Sequence, residues 1–171
     1  MIRLSLLPVA LLNVAWAESV PAACELVTHG EVQTAVLRTV ESGSPRVNAE
    51  NVTSCLFKDA RGGAVSVLFH NNVSQEWIAQ QTVRMSGTAS FRPVSSVGDT
   101  AFVLDRDERG AAICLFRKGS YLQVSAFGLG DANSVVPGIT DLARKALRRL
   151  DDAMSRPPSS ELSYLPNPRC H

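Results

Sequence analysis

Ala111-Ala112-Ile113-Cys114-Leu115-Phe116-Arg117-Lys118-Gly119-Ser120-Tyr121-Leu122-Gln123-Val124-Ser125-Ala126-Phe127 carries the strongest structural signal in the chain. Two runs of strand-favouring residues flank Lys118-Gly119, and a two-residue turn there places Arg117 opposite Ser120. Side chains alternate along a strand, so Leu115 then faces Leu122 and Ile113 faces Val124 on one side. The opposite side carries Cys114 beside Gln123 and Phe116 beside Tyr121, with Ser125 further along. One side is wholly apolar and the other half polar, which predicts an antiparallel sheet with helices packed on its apolar face.

Residues 91–94 and 100–104, separated by the turn Ser96-Val97-Gly98-Asp99, extend this hairpin into a meander, with a charged loop at 105–110. Residues 52–58 and 64–70 form a second hairpin around Asp59-Ala60-Arg61-Gly62-Gly63, because Val65, Val67 and Phe69 alternate. Three helices complete the pattern. Thr28 and Glu31 make a capping box for a short helix over 29–39, with Val27 and Val32 at the staple positions and Ser42-Gly43-Ser44-Pro45 ending it. Ser74 caps a second helix in which Trp77, Ile78, Gln81 and Met85 share a side and which Gly87 stops. Val136, Ile139, Leu142, Ala143, Ala146, Leu147 and Leu150 recur at helical spacing behind Pro137, with Arg148 and Arg149 in the last turn, where cations suit the helix dipole. The expected class is α+β, an antiparallel sheet of five to six strands with helices on one face. No internal repeat supports a duplication.

The 171 residues are 45% hydrophobic, with 17 Lys plus Arg against 16 Asp plus Glu. That composition excludes a disordered or collagen-like chain. The N-terminus has its own reading. Met1-Ile2-Arg3, a mostly apolar run over 4–15 and the small-x-small site Ala15-Trp16-Ala17 predict a secretory signal peptide over 1–17. The run is too short for a stable transmembrane anchor and contains Pro8 and Asn13. A minor alternative is a lipoprotein signal with Cys24 acylated. A single domain is then expected over 18–154. It is followed by a tail over 155–171 whose Pro157, Pro158, Pro166 and Pro168 make it extended and poorly ordered. Without its leader the chain has a net charge near zero, which argues against nucleic acid or anionic lipid as a partner.

All four cysteines, Cys24, Cys55, Cys114 and Cys170, follow the leader. An even count in an exported chain favours disulfides, and four cysteines allow three pairings. The preferred expectation joins Cys24 to Cys55 and Cys114 to Cys170. The second bridge would draw the tail across Phe116 and Tyr121, and the alternative for Cys170 is a free or intermolecular thiol. No two cysteines make a C-x2-C half-site, so neither metal nor cofactor is expected.

Chemistry-bearing patterns are sparse. His29, His70 and His171 are the only histidines, and no metalloprotease, nucleophile-elbow or phosphate-loop motif occurs. His70 ends a strand, where it is either a satisfied structural residue or, with Asp99 or a loop carboxylate, the base of a small hydrolase. Asp105, Asp107 and Glu108 are interleaved with Arg106 and Arg109 and read as a solvated loop rather than a calcium or glycosidase site.

Cys24-Glu25-Leu26-Val27-Thr28-x-x-Glu31-Val32-x-x-Ala35-Val36, then Ser54-Cys55-Leu56-Phe57, Val97-Gly98-Asp99-Thr100-Ala101, the Lys118-Gly119 hairpin and a terminal amphipathic helix resemble a broad bacterial family. Its members are small exported or lipid-anchored envelope proteins of unknown function, typified by actinobacterial lipoproteins with a C-x-L-L-T-x-x-E opening. The resemblance spans about residues 24–150. It implies an α+β sandwich-like domain and a Cys24–Cys55 bridge, and it brings no catalytic residues. Arg38 stands where a glycine often ends the first helix, and no lipobox precedes Cys24. The expected function is a noncatalytic periplasmic or secreted domain binding an envelope protein or small ligand through Phe116, Tyr121, Gln123 and Ser125. An inhibitor of a secreted enzyme would need an exposed loop with aromatic anchors, and residues 105–110 have none.

Overall fold

The computed structural model describes residues 21–49, 51–87, 90–105 and 107–155. The Lys118-Gly119 turn forms with positive φ at both positions, 47° and 75°, the combination a tight right-twisted hairpin requires. It joins β6 (Gly110–Arg117) to β7 (Ser120–Phe127), paired Arg117 to Ser120, Leu115 to Leu122 and Ile113 to Val124. Before them, β4 (Phe91–Val94) and β5 (Thr100–Asp105) pair in sequence order, so β4 to β7 are the expected meander. A second meander of β1 (Ser44–Ala49), β2 (Val52–Lys58) and β3 (Ala64–His70) joins the first through β3 and β7. The result is one antiparallel sheet in the order β1-β2-β3-β7-β6-β5-β4.

The sheet has seven strands rather than the expected five to six. The extra one, β1, contains Pro45 and a register shift between Val47 and Ala49. Proline removes a ladder donor and is tolerated at a sheet edge, where this strand lies. The opposite edge, β4, likewise carries Arg92 and Pro93.

The inner face holds the main core. Val65, Val67, Phe69, Ile113, Leu115, Leu122 and Val124 are fully buried there, beneath α1 (His29–Val36) and α3 (Ala132–Ser155). The α1 capping box forms as expected: Glu31 N–H donates to Thr28 Oγ1 and Thr28 N–H to Glu31 Oε2. The helix ends earlier than predicted, at Leu37, which adopts φ 52° with 89% of its surface exposed. Conversely, α3 starts earlier. Asp131 accepts from Ser134 N–H, so the helix begins ahead of Pro137 and gives up one backbone bond there. The two helices meet backbone to backbone: a Cβ built on Gly138 would lie 1.9 Å from the Ala35 carbonyl oxygen. Arg149 clamps them further, donating to both Glu31 carboxylate oxygens and to the Leu26 carbonyl at 2.8 Å each.

A disulfide joins Cys24 to Cys55 across 31 residues and fixes the segment ahead of α1 to β2. Cys114 is buried on the other face, and its suggested partner Cys170 lies outside the described residues. The leader 1–17 and nearly all of the tail 155–171 lie outside them too.

Candidate binding site on the outer sheet face

The expectation that every helix packs on one face is corrected by α2 (Gln75–Ser86). Ser74 caps it, accepting from Trp77 N–H at 3.1 Å. Its side chains Trp77, Ile78 and Met85 pack against a second apolar cluster, on the sheet's outer face. The physical reason is the residues that alternate outward. Phe102 from β5, Cys114 and Phe116 from β6 and Tyr121 from β7 are too apolar to leave wet, and they are 0 to 7% exposed.

The rings form a continuous series across the strands. Phe91 lies 5.0 Å from Phe102, Phe102 lies 6.1 Å from Phe116, and Phe116 lies 5.2 Å from Tyr121. Trp77 closes over this row, edge-on to Phe116, Tyr121 and His70 at centroid separations of 6.3, 5.3 and 5.2 Å. Such tilted and edge-to-face contacts add a favourable quadrupole contribution to ring burial. Tyr121, Gln123 and Ser125 are two residues apart on β7 and so point the same way. The Tyr121 hydroxyl donates to Gln123 Oε1 at 2.7 Å and also reaches Cys114 Sγ at 3.3 Å. Gln123 Nε2 donates to Ser125 Oγ at 2.8 Å. Burial pushes the Tyr121 phenol far above its ordinary pKa, and the Cys114 sulfur adds to that, so the phenol stays neutral.

The four residues expected to form a binding face lie side by side on the outer face of the sheet. Phe116, Tyr121 and Ser125 are buried and Gln123 is half-buried, so α2 stands between the aromatic part and solvent. Sequence reasoning missed Trp77, Ile78 and Met85 as the cover and Phe91 and Phe102 as floor. Their signal was present, since Phe102 alternates outward with Cys114 opposite it. Toward β2, the same face presents the half-exposed Ser54, Leu56, Ser66 and Leu68.

The hydrolase geometry has little to build on. His70 pairs with Val52 and Tyr121 and touches Trp77. Thr100, next to Asp99, lies three strands away, about 14 Å at the usual interstrand spacing. Asp99 is committed elsewhere: its carboxylate accepts from Lys118 N–H at 2.9 Å and Arg117 Nη1 at 2.8 Å, which hold its pKa below the usual carboxylate value. Among the described residues, no group of three or more His, Cys, Asp or Glu gathers as a metal site. Asp105 pairs with Arg92 at 3.5 Å. No described helix is long and apolar enough to cross a membrane.

Compared with protein-family models and with curated proteins, the chain matches none.

Proposed function

We propose that this chain is an exported, noncatalytic binding domain of the bacterial envelope, which takes an envelope component or a small ligand at the site of Phe116, Tyr121, Gln123 and Ser125. The observation that carries the reading is the second apolar cluster itself. A row of aromatic rings with a polar string at one side is closed by a helix in which no side chain is fully buried. A purely structural face would be sealed as α3 seals the inner one, with eight buried residues. Export is supported by the leader pattern and by the Cys24–Cys55 disulfide, a bond that persists in oxidising compartments. The same bond engages the Cys24 sulfur that acylation would require, which favours a periplasmic or secreted protein over a lipid-anchored one. The Cys24-x-Leu26-Val27-Thr28-x-x-Glu31 opening, which resembles that of exported actinobacterial envelope proteins, is in keeping with this reading.

The test is titration of the oxidised protein, lacking residues 1–17, with N-phenyl-1-naphthylamine, a neutral dye that brightens in apolar surroundings. Trp77 is the only tryptophan after the leader and reports from within the site. The expected result is saturable binding at one site, with quenched Trp77 emission and at least fivefold weaker affinity in Phe102→Ala. Binding that leaves Trp77 emission unchanged, or no binding, would refute the reading.

A further inference from the structure

We propose that α2 is a gate and that the occupant it admits is an uncharged single-chain acyl ester, held with its chain between α2 and the sheet and its carbonyl at Gln123 and Ser125. This rests on the binding reading above and adds the ligand's chemistry and its route.

The gate follows from how unevenly α2 is held. None of its twelve residues is buried, and Val83 is 72% exposed. Its N-terminal approach is fixed: Val73 is buried and its N–H donates to the Gly119 carbonyl at 2.8 Å, while Asn72 just before it has φ 56°. At the far end Gly87 stops the helix ahead of β4, an edge strand of four residues. A helix pinned at one end and lightly packed along its length belongs to the low-stability end of a fold's local openings.

The ligand class follows from the walls. Phe91, Phe102, Phe116, Leu104 and Leu68 carry no charge, so an ammonium placed among them would lose hydration with nothing to replace it, and a carboxylate would have only the neutral donors of Gln123 and Ser125 in exchange for its water. The floor is elongated, running from Phe91 on β4 to Leu68 on β3, four interstrand spacings or about 19 Å, long enough to take an extended acyl chain. At the β7 side, one amide N–H of Gln123 and the Ser125 hydroxyl hydrogen have no acceptor among the described residues, so the site offers donors. An ester carbonyl accepts from both, and a hydrocarbon without such a group leaves them unmet.

The probes are 1-monolauroylglycerol below its micellar concentration, with dodecanoate at pH 8 and dodecyltrimethylammonium as charged counterparts of the same chain length. The expected result is one-to-one binding of the ester, at least tenfold tighter than either ion. In the free protein, amides 75–86 should exchange at least a hundredfold faster than those of α3, and at least tenfold slower once the ester is bound. Gln123→Leu should weaken the ester at least fivefold. Should that variant fail to fold, Ser125→Ala serves in its place. Equal affinity for ester and ions, or exchange of α2 unchanged by the ester, would overturn the proposal. If the naphthylamine binds the unaltered protein and the ester does not, the gate and ligand class fall while the site stands; if neither binds, both fall.

Discussion

Replacing Gly138 by alanine sets two well-understood effects against each other. In a helix interior, exchanging glycine for alanine stabilises by about 1 kcal/mol. Here the new Cβ would lie 1.9 Å from the Ala35 carbonyl oxygen and 2.7 Å from its carbon, so α1 and α3 must separate by more than 1 Å to reach an ordinary contact, roughly 3.2 Å. A gap of more than 1 Å lies in the upper part of the usual range and forfeits about a third to a half of the attraction between facing atoms. Val32 and Val36 on α1 and Ile139 and Leu142 on α3 belong to the core cluster this opens. Burial of four such side chains contributes roughly 8 kcal/mol, so losing a third to a half of it costs about 3 to 4 kcal/mol. The net expectation is a loss of about 2 to 3 kcal/mol, or about 7 to 10 °C in Tm for a domain of this size. Thermal and urea unfolding of the oxidised Gly138→Ala protein, followed by circular dichroism, measures it directly. A Tm equal to or above that of the unaltered protein would refute the close-approach argument.

Three further outcomes are expected. Opening the Cys24–Cys55 bridge, by reductant or in C24A/C55A, frees a loop of 31 residues' separation and should lower stability by about 3.7 kcal/mol, read as a Tm drop of about 13 °C; a drop under 3 °C would contradict it. Leu37→Gly relieves a left-handed backbone under an exposed side chain, so unfolding should show a gain of about 0.5 to 1 kcal/mol, and a loss would show that Leu37 packs in solution. The Arg149 guanidinium holds the Glu31 carboxyl at about 2 instead of its ordinary 4.5. A lowered carboxylate pKa stabilises the fold above the unfolded value and loses that contribution as pH falls from about 4.5 toward 2. With the pair partly solvated, screening leaves about 1 kcal/mol of it. R149M removes the Leu26 bond at every pH but the Glu31 pairing only where the carboxylate is ionised, so its penalty should be larger at pH 7 than at pH 2 by about that much, and a penalty independent of pH would disprove the pairing.

The hairpin register was legible because two local signals agree, the positive-φ turn at Lys118-Gly119 and the alternation on either side of it. The Thr28–Glu31 capping box was legible for the same reason. The first strand was not, because Ser44-Pro45-Arg46 has neither alternation nor strand preference, and pairing with β2 holds it extended. The side on which α2 packs was not legible either. Trp77, Ile78 and Met85 announce that the helix covers something, but which sheet face it covers depends on the linkers and on Phe102, far along the chain. The early start of α3 was encoded in Asp131 and Ser134, and Pro137 drew attention from it. The candidate site was half legible: β7 supplied Tyr121, Gln123 and Ser125 by simple alternation, whereas their cover comes from a separate element.

The two outermost strands share a chemical detail with a consequence for life at high concentration. Each has an imino nitrogen in its short run, Pro45 in one and Pro93 in the other, beside an arginine. An extended peptide drifting against either border meets a missing donor and a bulky arginine side chain, which disfavours hydrogen-bonded growth there. Crowded copies of this domain thus collide without templating fibres on one another.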